Sequence, residues 1–338
     1  RFEQAVAQAV NAPHAIATTS CTTALHLALL LVGVGPGDEV ICPSMSFIAT
    51  ANAIVYCGAK PVFAEIDART YTIDPASVEA LLTPRTKAIL VVHQGVAADL
   101  DELQAIADAR GLAIVEDAAP AIGCTYRGRA IGDSPNPVCF SFHPRKVVTS
   151  GEGGLITVRD AESADRLRRL RHHGMSVSDL ARHNSATPVF EHYDEVGYNY
   201  RMTDLQAALG LAQMGRLETI LAERRRLAAR YETEIRARVP WLEPPVCPGD
   251  RTHSYQSYIV RLKSDAPIER DALMAHLQAR GVASRRGIMC AHLEPAYAGS
   301  PALPVSEQAW RETLILPLFP GMTDEDQEHV LRALESAS

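Results

Sequence analysis

The chain contains 338 residues, of which 47% are hydrophobic and 22% are charged, so it can bury a sizeable core and is not a disordered protein. Forty acidic residues outnumber 33 basic ones and give a formal net charge of −7, which argues against a broad nucleic-acid-binding surface. The longest apolar stretch, residues 24–34, is interrupted by His26 and is too short to cross a bilayer, and no basic-then-apolar leader precedes it. We therefore expect a cytoplasmic protein with no membrane or nucleic-acid partner.

Helical and strand patterns alternate through the first half of the chain. The helical segments are 22–34, 46–57, one that begins at Pro75, and 100–110, and the apolar strand segments are 40–43, 61–66, 88–92 and 112–115. Helices that connect apolar strands are typical of a parallel sheet with a helical layer on each face. The sequence therefore predicts an α/β fold, with a large domain built on a mostly parallel central sheet flanked by helices.

A long helical pattern closes this predicted domain. A polar loop from Gly174 to about Tyr200 leads into it, and the pattern itself covers residues 202–238. Its arginine run at 224–226 is interleaved with glutamates, so we interpret the run as a solvated helix face.

A proline-rich break at residues 240–248 marks the predicted domain boundary. The strand-like segment 254–262 and the helical segments 268–280 and 324–334 follow it, which is the pattern of a compact α+β domain. We therefore predict a large domain at 1–238 and a smaller C-terminal α+β domain at 239–338.

The cysteines, histidines and glycines lack the spacing of metal or nucleotide sites. Seven cysteines are present and no two form a CxxC pair, which fits reduced thiols better than a disulfide framework. His172, His173 and His253 have no carboxylate or cysteine at ligand spacing. The glycine-rich segment 33–37 follows a helix and precedes a strand, the reverse of a dinucleotide-binding loop. We expect no metal site and interpret the glycines as a turn.

Two residues at predicted strand ends are candidates for chemistry. Lys146 follows an apolar strand segment and precedes the glycine-rich turn 151–154. A desolvated lysine has a lowered pKa and becomes a nucleophile for aldehydes, although a surface lysine in a loop would fit the same pattern. Asp117 ends the strand that begins near residue 112, and the carboxyl ends of parallel strands line the usual ligand crevice. A pyridinium cofactor requires such an acid beside its ring nitrogen, and a helix cap is the alternative interpretation.

A third candidate site lies at the start of the first long helix. Thr22 and Thr23 follow Ser20 and Cys21 directly before the apolar helical run. Hydroxyls and free backbone N–H groups at a helix N-terminus bind phosphate well, and an ordinary helix cap would use the same residues.

These segments together resemble the DegT/StrS family of sugar aminotransferases, which are fold-type I enzymes that depend on pyridoxal 5'-phosphate (PLP). The resemblance covers the chain from Phe2-Glu3 to the C-terminal helix. Its strongest marks, in chain order, are SCTTALHLAL (20–29), GVGPGDEVICPSMSF (33–47), GAKPVFAEID (58–67), EDAAPAIG (116–123), CFSFHPRKVVTSGEGG (139–154) and GYNYRMTDLQAALG (197–210).

The resemblance implies roles for the candidate residues. Lys146 matches the lysine that binds the cofactor aldehyde covalently, and Asp117 matches the acid that pairs with the pyridine nitrogen. Thr22 and Thr23 match the phosphate-binding turn, and Ser141 matches a serine that also holds the phosphate.

Further matched positions concern the substrate and the assembly. Phe47 lies where the family often places an aromatic residue over the cofactor ring. Asn199 lies where the family reaches across a dimer interface to the partner's phosphate, which implies a homodimer with shared active sites. Arg286 and His292 lie in the stretch that comes near the substrate in the family, so we expect them to bind substrate.

The chain also departs from the family pattern. Pro120 stands where many members have a glutamine three residues after the aspartate, so the hydrogen bond of that side chain is lost or replaced. The segment after His93 is one residue shorter than usual and lacks its proline. The match begins near a position that is internal in the family, so we expect an N-terminal arm of some tens of residues to be absent.

The resemblance implies an aminotransferase that moves an amino group, with glutamate as the expected donor, to a nucleotide-linked keto sugar. A cyclitol aminotransferase is an alternative. A PLP-dependent sugar dehydratase is another, although Lys146 argues against it because the family's dehydratases replace that lysine. A regulator that binds PLP without turning over is disfavoured, because Lys146 and Asp117 are both present and no helix-turn-helix pattern accompanies them.

Overall fold

A seven-stranded sheet and a four-stranded sheet organise the chain in this computed structural model, which describes residues 1–177 and 190–337. The strands are β1 (His14–Thr18), β2 (Glu39–Pro43), β3 (Lys60–Ala64), β4 (Thr86–Val92), β5 (Ala113–Asp117), β6 (Thr125–Tyr126), β7 (Arg129–Ala130), β8 (Val138–Ser141), β9 (Gly154–Val158), β10 (Leu242–Glu243), β11 (Tyr258–Leu262), β12 (Arg285–Arg286) and β13 (Thr313–Leu316). The α-helices of the described residues are α1 (Phe2–Ala9), α2 (Cys21–Leu31), α3 (Ala49–Tyr56), α4 (Pro75–Ala80), α5 (Leu100–Arg110), α6 (Ala161–Leu170), α7 (Asp204–Met214), α8 (Leu217–Arg238), α9 (Arg270–Ala279), α10 (Pro304–Glu312) and α11 (Asp324–Glu335). None of these helices is both long and apolar enough to span a membrane.

The larger sheet has the strand order β1-β9-β8-β5-β4-β2-β3. Neighbours from β8 to β3 are parallel, and β9 is antiparallel to both β8 and β1. The carboxyl ends of β2, β4, β5 and β8 therefore meet at one edge of the sheet, where ligands bind in open α/β folds. This arrangement confirms the predicted α/β class with a mostly parallel central sheet.

Helices cover both faces of this sheet because successive strand residues point to opposite sides. On one face, α2, α3 and α6 pack on a core that includes Cys42, Leu90 and Val115. On the other face, α1 and the start of α8 pack near Phe140, while α4 and α5 cover Ile89. The layers hold the strand ends in place and so position the site.

The predicted single helix over 202–238 is instead two helices, α7 and α8. The backbone N–H of Arg216 bonds to the carbonyl of Gln213 at 2.9 Å, which closes the last turn of α7. Gly215 lies at this junction, and glycine is a poor helix former. Met214 and Leu217, on either side of the break, are both buried in the core beside the large sheet.

The arginine run on α8 is not uniformly solvated, contrary to the interpretation from sequence. Arg224 is buried, and its guanidinium donates to the carbonyls of Tyr255 at 2.8 Å and Leu318 at 3.2 Å. Burial lowers the pKa of this guanidinium. The guanidinium exchanges its hydrating water for carbonyl acceptors that come together only in the folded chain. The charged sequence around it therefore could not show that this arginine is buried.

The smaller sheet has the order β10-β11-β13-β12 and its own core. The later part of α8, including Leu227 and Tyr231, packs in this core, whereas Leu217 packs with the large sheet. We propose 1–238 and 239–338 as the two domains, with α8 contributing side chains to both cores.

The segment around η1 (Ala291–Leu293) and η2 (Pro295–Tyr297) links the small domain back to the large one. The Tyr297 hydroxyl donates to the side chain of Asn52 at 2.7 Å, and the Ser306 hydroxyl donates to Glu65 at 2.6 Å. These contacts cross the proposed boundary and fix how the small domain covers the strand ends. The predicted polar loop from Gly174 to Tyr200 lies partly outside the described residues.

Candidate active site

A cavity of about 140 Å³ opens at the carboxyl edge of the large sheet. Asp117 and Lys146 line it from the large domain, together with Phe47, and Gln256 and Ile259 line it from the small domain. Two residues that the sequence separates by 29 positions therefore share one wall, as predicted for a common site. The cavity lies between the two proposed domains, which is where small-molecule sites are commonly formed.

Asp117 is the last residue of β5, and its carboxylate is buried although it borders the cavity. Its Oδ2 accepts a hydrogen bond of 2.9 Å from the hydroxyl of Thr50, and its Oδ1 accepts one of 3.0 Å from the backbone N–H of Ala119. Burial raises the pKa of this carboxyl, and the two hydrogen bonds and the charge of Lys146 partly oppose that rise. The carboxylate is thus held rigidly where a cationic ligand group would favour its ionised form.

Lys146 follows β8 in a tight turn, in which its own N–H bonds to the carbonyl of His143 at 2.9 Å. Burial lowers the pKa of the Lys146 amine, whereas the nearby charge of Asp117 raises it. The lowered pKa increases the neutral fraction of the amine near pH 7, which is the form that attacks a carbonyl. The alternative of a surface lysine in a loop does not fit this position.

The glycine-rich turn after Lys146 allows a close approach between β9 and α2. A Cβ at Gly154 would lie 2.2 Å from the carbonyl oxygen of Ser20, a distance that no side chain tolerates. Gly154 also pairs with Ser141 and Thr18 across the sheet. Glycine at this position therefore brings the N-terminus of α2 beside the end of β8.

The N-terminus of α2 carries the predicted phosphate-binding threonines. Ser20 caps the helix, since its hydroxyl accepts from the N–H of Thr23 at 3.2 Å and the Thr23 hydroxyl accepts from the N–H of Ser20 at 3.1 Å. The Thr22 hydroxyl makes no hydrogen bond with the residues that the structure describes. Thr23 therefore serves the cap, and Thr22 is the hydroxyl available to a ligand.

Ser141 and Phe47 have contrasting environments. Ser141 is buried at the end of β8, and its hydroxyl accepts a long hydrogen bond of 3.4 Å from the N–H of His143. Phe47 borders the cavity with 65% of its surface exposed, which is unusual for a large apolar side chain. Both positions agree with the predicted places of a phosphate ligand and of an aromatic lid over a flat ring, which remain predictions.

Asn199 lies away from this cavity. It is exposed in the segment before α7 and forms an isolated bridge with His172. Its predicted contact with a cofactor phosphate therefore requires a second subunit and stays a prediction.

The structure does not bring Arg286 or His292 to the cavity. Arg286 lies on β12 and donates to Asp271 at 3.0 Å. His292 is buried, with its Nδ1 2.5 Å from the hydroxyl of Ser44 and its Nε2 3.4 Å from Glu307. Both side chains are occupied by protein partners, so the substrate role expected for them has no support in the geometry.

Several site residues were missed by sequence reasoning. Thr50 orients Asp117, and its hydroxyl lies 2.7 Å from that of Ser46, which also borders the cavity. Pro120 borders the cavity too, and its carbonyl accepts from the Ser254 hydroxyl at 2.7 Å. The four-residue spacing of Ser46 and Thr50 in the helix predicted at 46–57 gave no valid signal, because the helix begins only at Ala49 and Ser46 lies outside it.

Comparisons with known proteins bear directly on this site. The family model described as the DegT/DnrJ/EryC1/StrS aminotransferase family matches residues 1–335. GDP-perosamine synthase of Caulobacter vibrioides is 41% identical over 337 residues, which cover 99% of this chain and 88% of that protein.

Solved structures agree with these sequence matches. DesV of S. venezuelae, in complex with a ketimine intermediate, matches with a TM-score of 0.91 at 37% identity, over 99% of this chain and 87% of that one. The PMP form of Spr1654 from Streptococcus pneumoniae matches with a TM-score of 0.93 at 27% identity, over 99% of this chain and 90% of that one.

The sheet order and the convergence of a strand-end lysine with a buried aspartate define an aminotransferase of fold type I. The chain belongs to the DegT/DnrJ/EryC1/StrS aminotransferase family. The resemblance inferred from the sequence motifs is thereby confirmed.

Proposed function

We propose that this enzyme uses pyridoxal 5'-phosphate to move an amino group from glutamate to a nucleotide-linked keto sugar. The observation that carries the proposal is the placement of Lys146 and Asp117 on one wall of the cavity between the domains. A lysine amine with a lowered pKa and a buried carboxylate are the two protein groups that this cofactor requires.

The residues present fit the cofactor. Asp117 is a rigid acid for the pyridine nitrogen, and Lys146 is the amine for the aldehyde. Thr22 and Ser141 would hold the phosphate, helped by the positive end of the α2 dipole. Phe47 would cover the ring. When bound, the cofactor supplies an electron sink for the carbanion that forms at the α-carbon of the amino donor.

The chain's own residues would then move protons and hold the acid beside the ring in place. Lys146 Nζ would take the proton from the α-carbon of the amino donor and pass it to the aldehyde carbon of the cofactor. With the acceptor bound it would move a proton in the opposite direction, so it would act as general base and as general acid. Asp117, in its ionised form, would keep the ring nitrogen protonated. Thr50 and the N–H of Ala119 keep that carboxylate in place.

The relatives support a sugar as the acceptor. GDP-perosamine synthase carries a nucleotide sugar in its name and is 41% identical over 99% of this chain. A cyclitol aminotransferase has the same cofactor chemistry and differs only in the acceptor, so the acceptor must be tested directly.

The amine-loaded enzyme should react at least about tenfold faster with its nucleotide-linked keto sugar than with the free sugar or a cyclitol ketone, because remote contacts to the nucleotide contribute binding energy in the transition state. The measurement loads the enzyme with glutamate, removes 2-oxoglutarate, and follows the return of the cofactor absorbance with each acceptor.

Each alternative has its own result in this experiment. Equal rates with a cyclitol ketone would identify a cyclitol aminotransferase, and a product that has lost water without gaining nitrogen would identify a dehydratase. Cofactor binding without any glutamate turnover would identify a regulator.

We further propose a homodimer in which Asn199 of each subunit completes the site of the other. Two inactive variants, Lys146→Ala and Asn199→Asp, should regain activity when mixed, because one of the two sites in each mixed dimer is intact. Random exchange at equal amounts should restore roughly a quarter of the wild-type rate. Aspartate fails at position 199 because it places a carboxylate beside the cofactor phosphate.

The control for subunit mixing is Gln278→Glu, at an exposed glutamine on α9, which makes the same change from an amide to a carboxylate. Mixed with Lys146→Ala, this variant should show no more activity than it contributes by itself. Full activity of Asn199→Asp on its own, or activity in a monomer, would contradict the shared site.

A further inference from the structure

We propose that Arg145 and Arg285 together bind the diphosphate of a nucleotide-linked substrate at the mouth of the cofactor cavity. The inference rests on the proposed function, because it supplies the recognition element for the substrate class named there. It moves the expected substrate contact from Arg286 to its neighbour Arg285 and adds Arg145.

The register of the small sheet places Arg285 on the cavity side. Arg285 pairs with Ile315 of β13, and Ile315 pairs in turn with Ile259 of β11. Directly paired residues of antiparallel strands project from the same face of a sheet. Ile259 borders the cavity, so Arg285 shares the face that the small sheet turns toward the cofactor.

Arg286 lies on the opposite face for the same reason. It pairs with Leu314, which is buried in the core of the small domain. Its guanidinium forms an ion pair with Asp271 of α9 at 3.0 Å and lies 6.0 Å from the ring of Trp310. Two adjacent arginines therefore have different environments, and only Arg285 is directed to the site.

Arg145 reaches the same rim from the large domain. It directly precedes Lys146, and its carbonyl accepts a hydrogen bond of 2.9 Å from the side-chain amide of Gln256. Gln256 borders the cavity just before β11, the strand that carries Ile259. The hydrogen bond joins the lysine turn to the small domain, so the backbone of Arg145 lies beside the opening.

The two guanidinium groups have no acidic partner among the described residues. Glu152, the carboxylate of the same turn as Arg145, lies 3.7 Å from the ring nitrogen of His143 instead. Burial lowers the pKa of Arg285, and the charge of Arg145 lowers it further. Both arginines also lower the pKa of Lys146. Like charges gathered without a counter-charge destabilise the free protein, and a bound anion removes that cost.

The number and shape of the charges favour a diphosphate. Each guanidinium can donate two parallel hydrogen bonds to one phosphate, so two arginines match two adjacent phosphate groups. The carboxylate of an amino donor carries one charge and can be bound by a single guanidinium. A pair of unneutralised arginines at the mouth, outside the wall formed by Asp117 and Lys146, suits the part of the substrate that does not react.

The test is calorimetric titration of the cofactor-loaded enzyme with inorganic pyrophosphate, because the phosphate of the cofactor then occupies the N-terminus of α2. We expect Arg285→Gln and Arg145→Gln each to weaken pyrophosphate binding at least about tenfold, which corresponds to about 1.4 kcal/mol. Arg285→Lys keeps the positive charge but cannot donate two parallel hydrogen bonds, so it should weaken pyrophosphate binding less than Arg285→Gln does. Arg286→Gln is the matched control from the same strand and should bind within about twofold of the wild type.

Glutarate serves as the carboxylate probe in parallel titrations. Wild-type affinity for pyrophosphate in Arg285→Gln and Arg145→Gln would overturn the proposal. An equal loss of glutarate and pyrophosphate binding would also overturn it, because the pair would then recognise the donor carboxylate. If the wild type shows the expected pyrophosphate pattern but no turnover of glutamate, the diphosphate site is supported and the proposed function fails.

Discussion

Replacing Lys146 by alanine should abolish transamination, with turnover reduced at least about a hundredfold and up to about 10⁴-fold, the range that a positioned general base contributes. The variant loses both the amine that holds the cofactor and the group that moves the proton. Lys146 is placed for both tasks in the turn after β8, on the same cavity as Asp117 and with a lowered pKa. Turnover is measured with glutamate and an acceptor, and borohydride reduction should fix the cofactor on the peptide that contains Lys146.

Lys87→Ala is the control for this prediction, because Lys87 is exposed on β4, remote from the cavity. It should leave both turnover and cofactor trapping unchanged. Ordinary transamination by Lys146→Ala, or trapping of the cofactor on another lysine, would refute the assignment.

Asp117→Asn should slow the half-reaction with glutamate at least about tenfold. A hydrogen bond between charged partners contributes about 1.5–3 kcal/mol, and about 1.4 kcal/mol corresponds to one decade in rate. The amide can still accept from the N–H of Ala119, so the fold should be retained while the negative charge beside the ring nitrogen is lost. The rate is measured in a single turnover from the change in cofactor absorbance, with a melting curve to verify folding.

The matched control is Asp108→Asn on α5, an exposed aspartate that accepts from Gln104 at 2.8 Å. It removes the same charge from the chain without touching the cavity. An unchanged half-reaction in Asp117→Asn would show that another acid holds the ring nitrogen.

Local sequence patterns were sufficient to predict the α/β class and to select Asp117 and Lys146, which the structure brings to one cavity. Asp117 ends an apolar strand and Lys146 follows one, and the adjacent residues in the sequence are enough to predict both strands. Parallel strands all expose their carboxyl ends at one edge, so the two residues were expected to meet before any contact was known. Residues whose position depends only on such a rule are predictable.

The long helical pattern at 202–238 illustrates what a local sequence pattern cannot predict. Residues 202–238 contain no proline and read as one helix, yet the structure ends one helix at Met214 and begins the next at Leu217. Arg224 is similar, because its carbonyl partners at Tyr255 and Leu318 are distant in sequence. Burial against distant segments decides such positions, and helix propensity does not encode it.

The sequence by itself determined the family, the aspartate at the end of β5, the lysine after β8 and the capped N-terminus of α2. Only the tertiary structure decided which arginine faces the cavity, because β12 is two residues long and has no periodicity that indicates a face. The register with β13 directs Arg285 to the site and Arg286 to Asp271. Tertiary packing likewise places His292 between Ser44 and Glu307, since a side chain's partners depend on elements that meet only after the chain has folded.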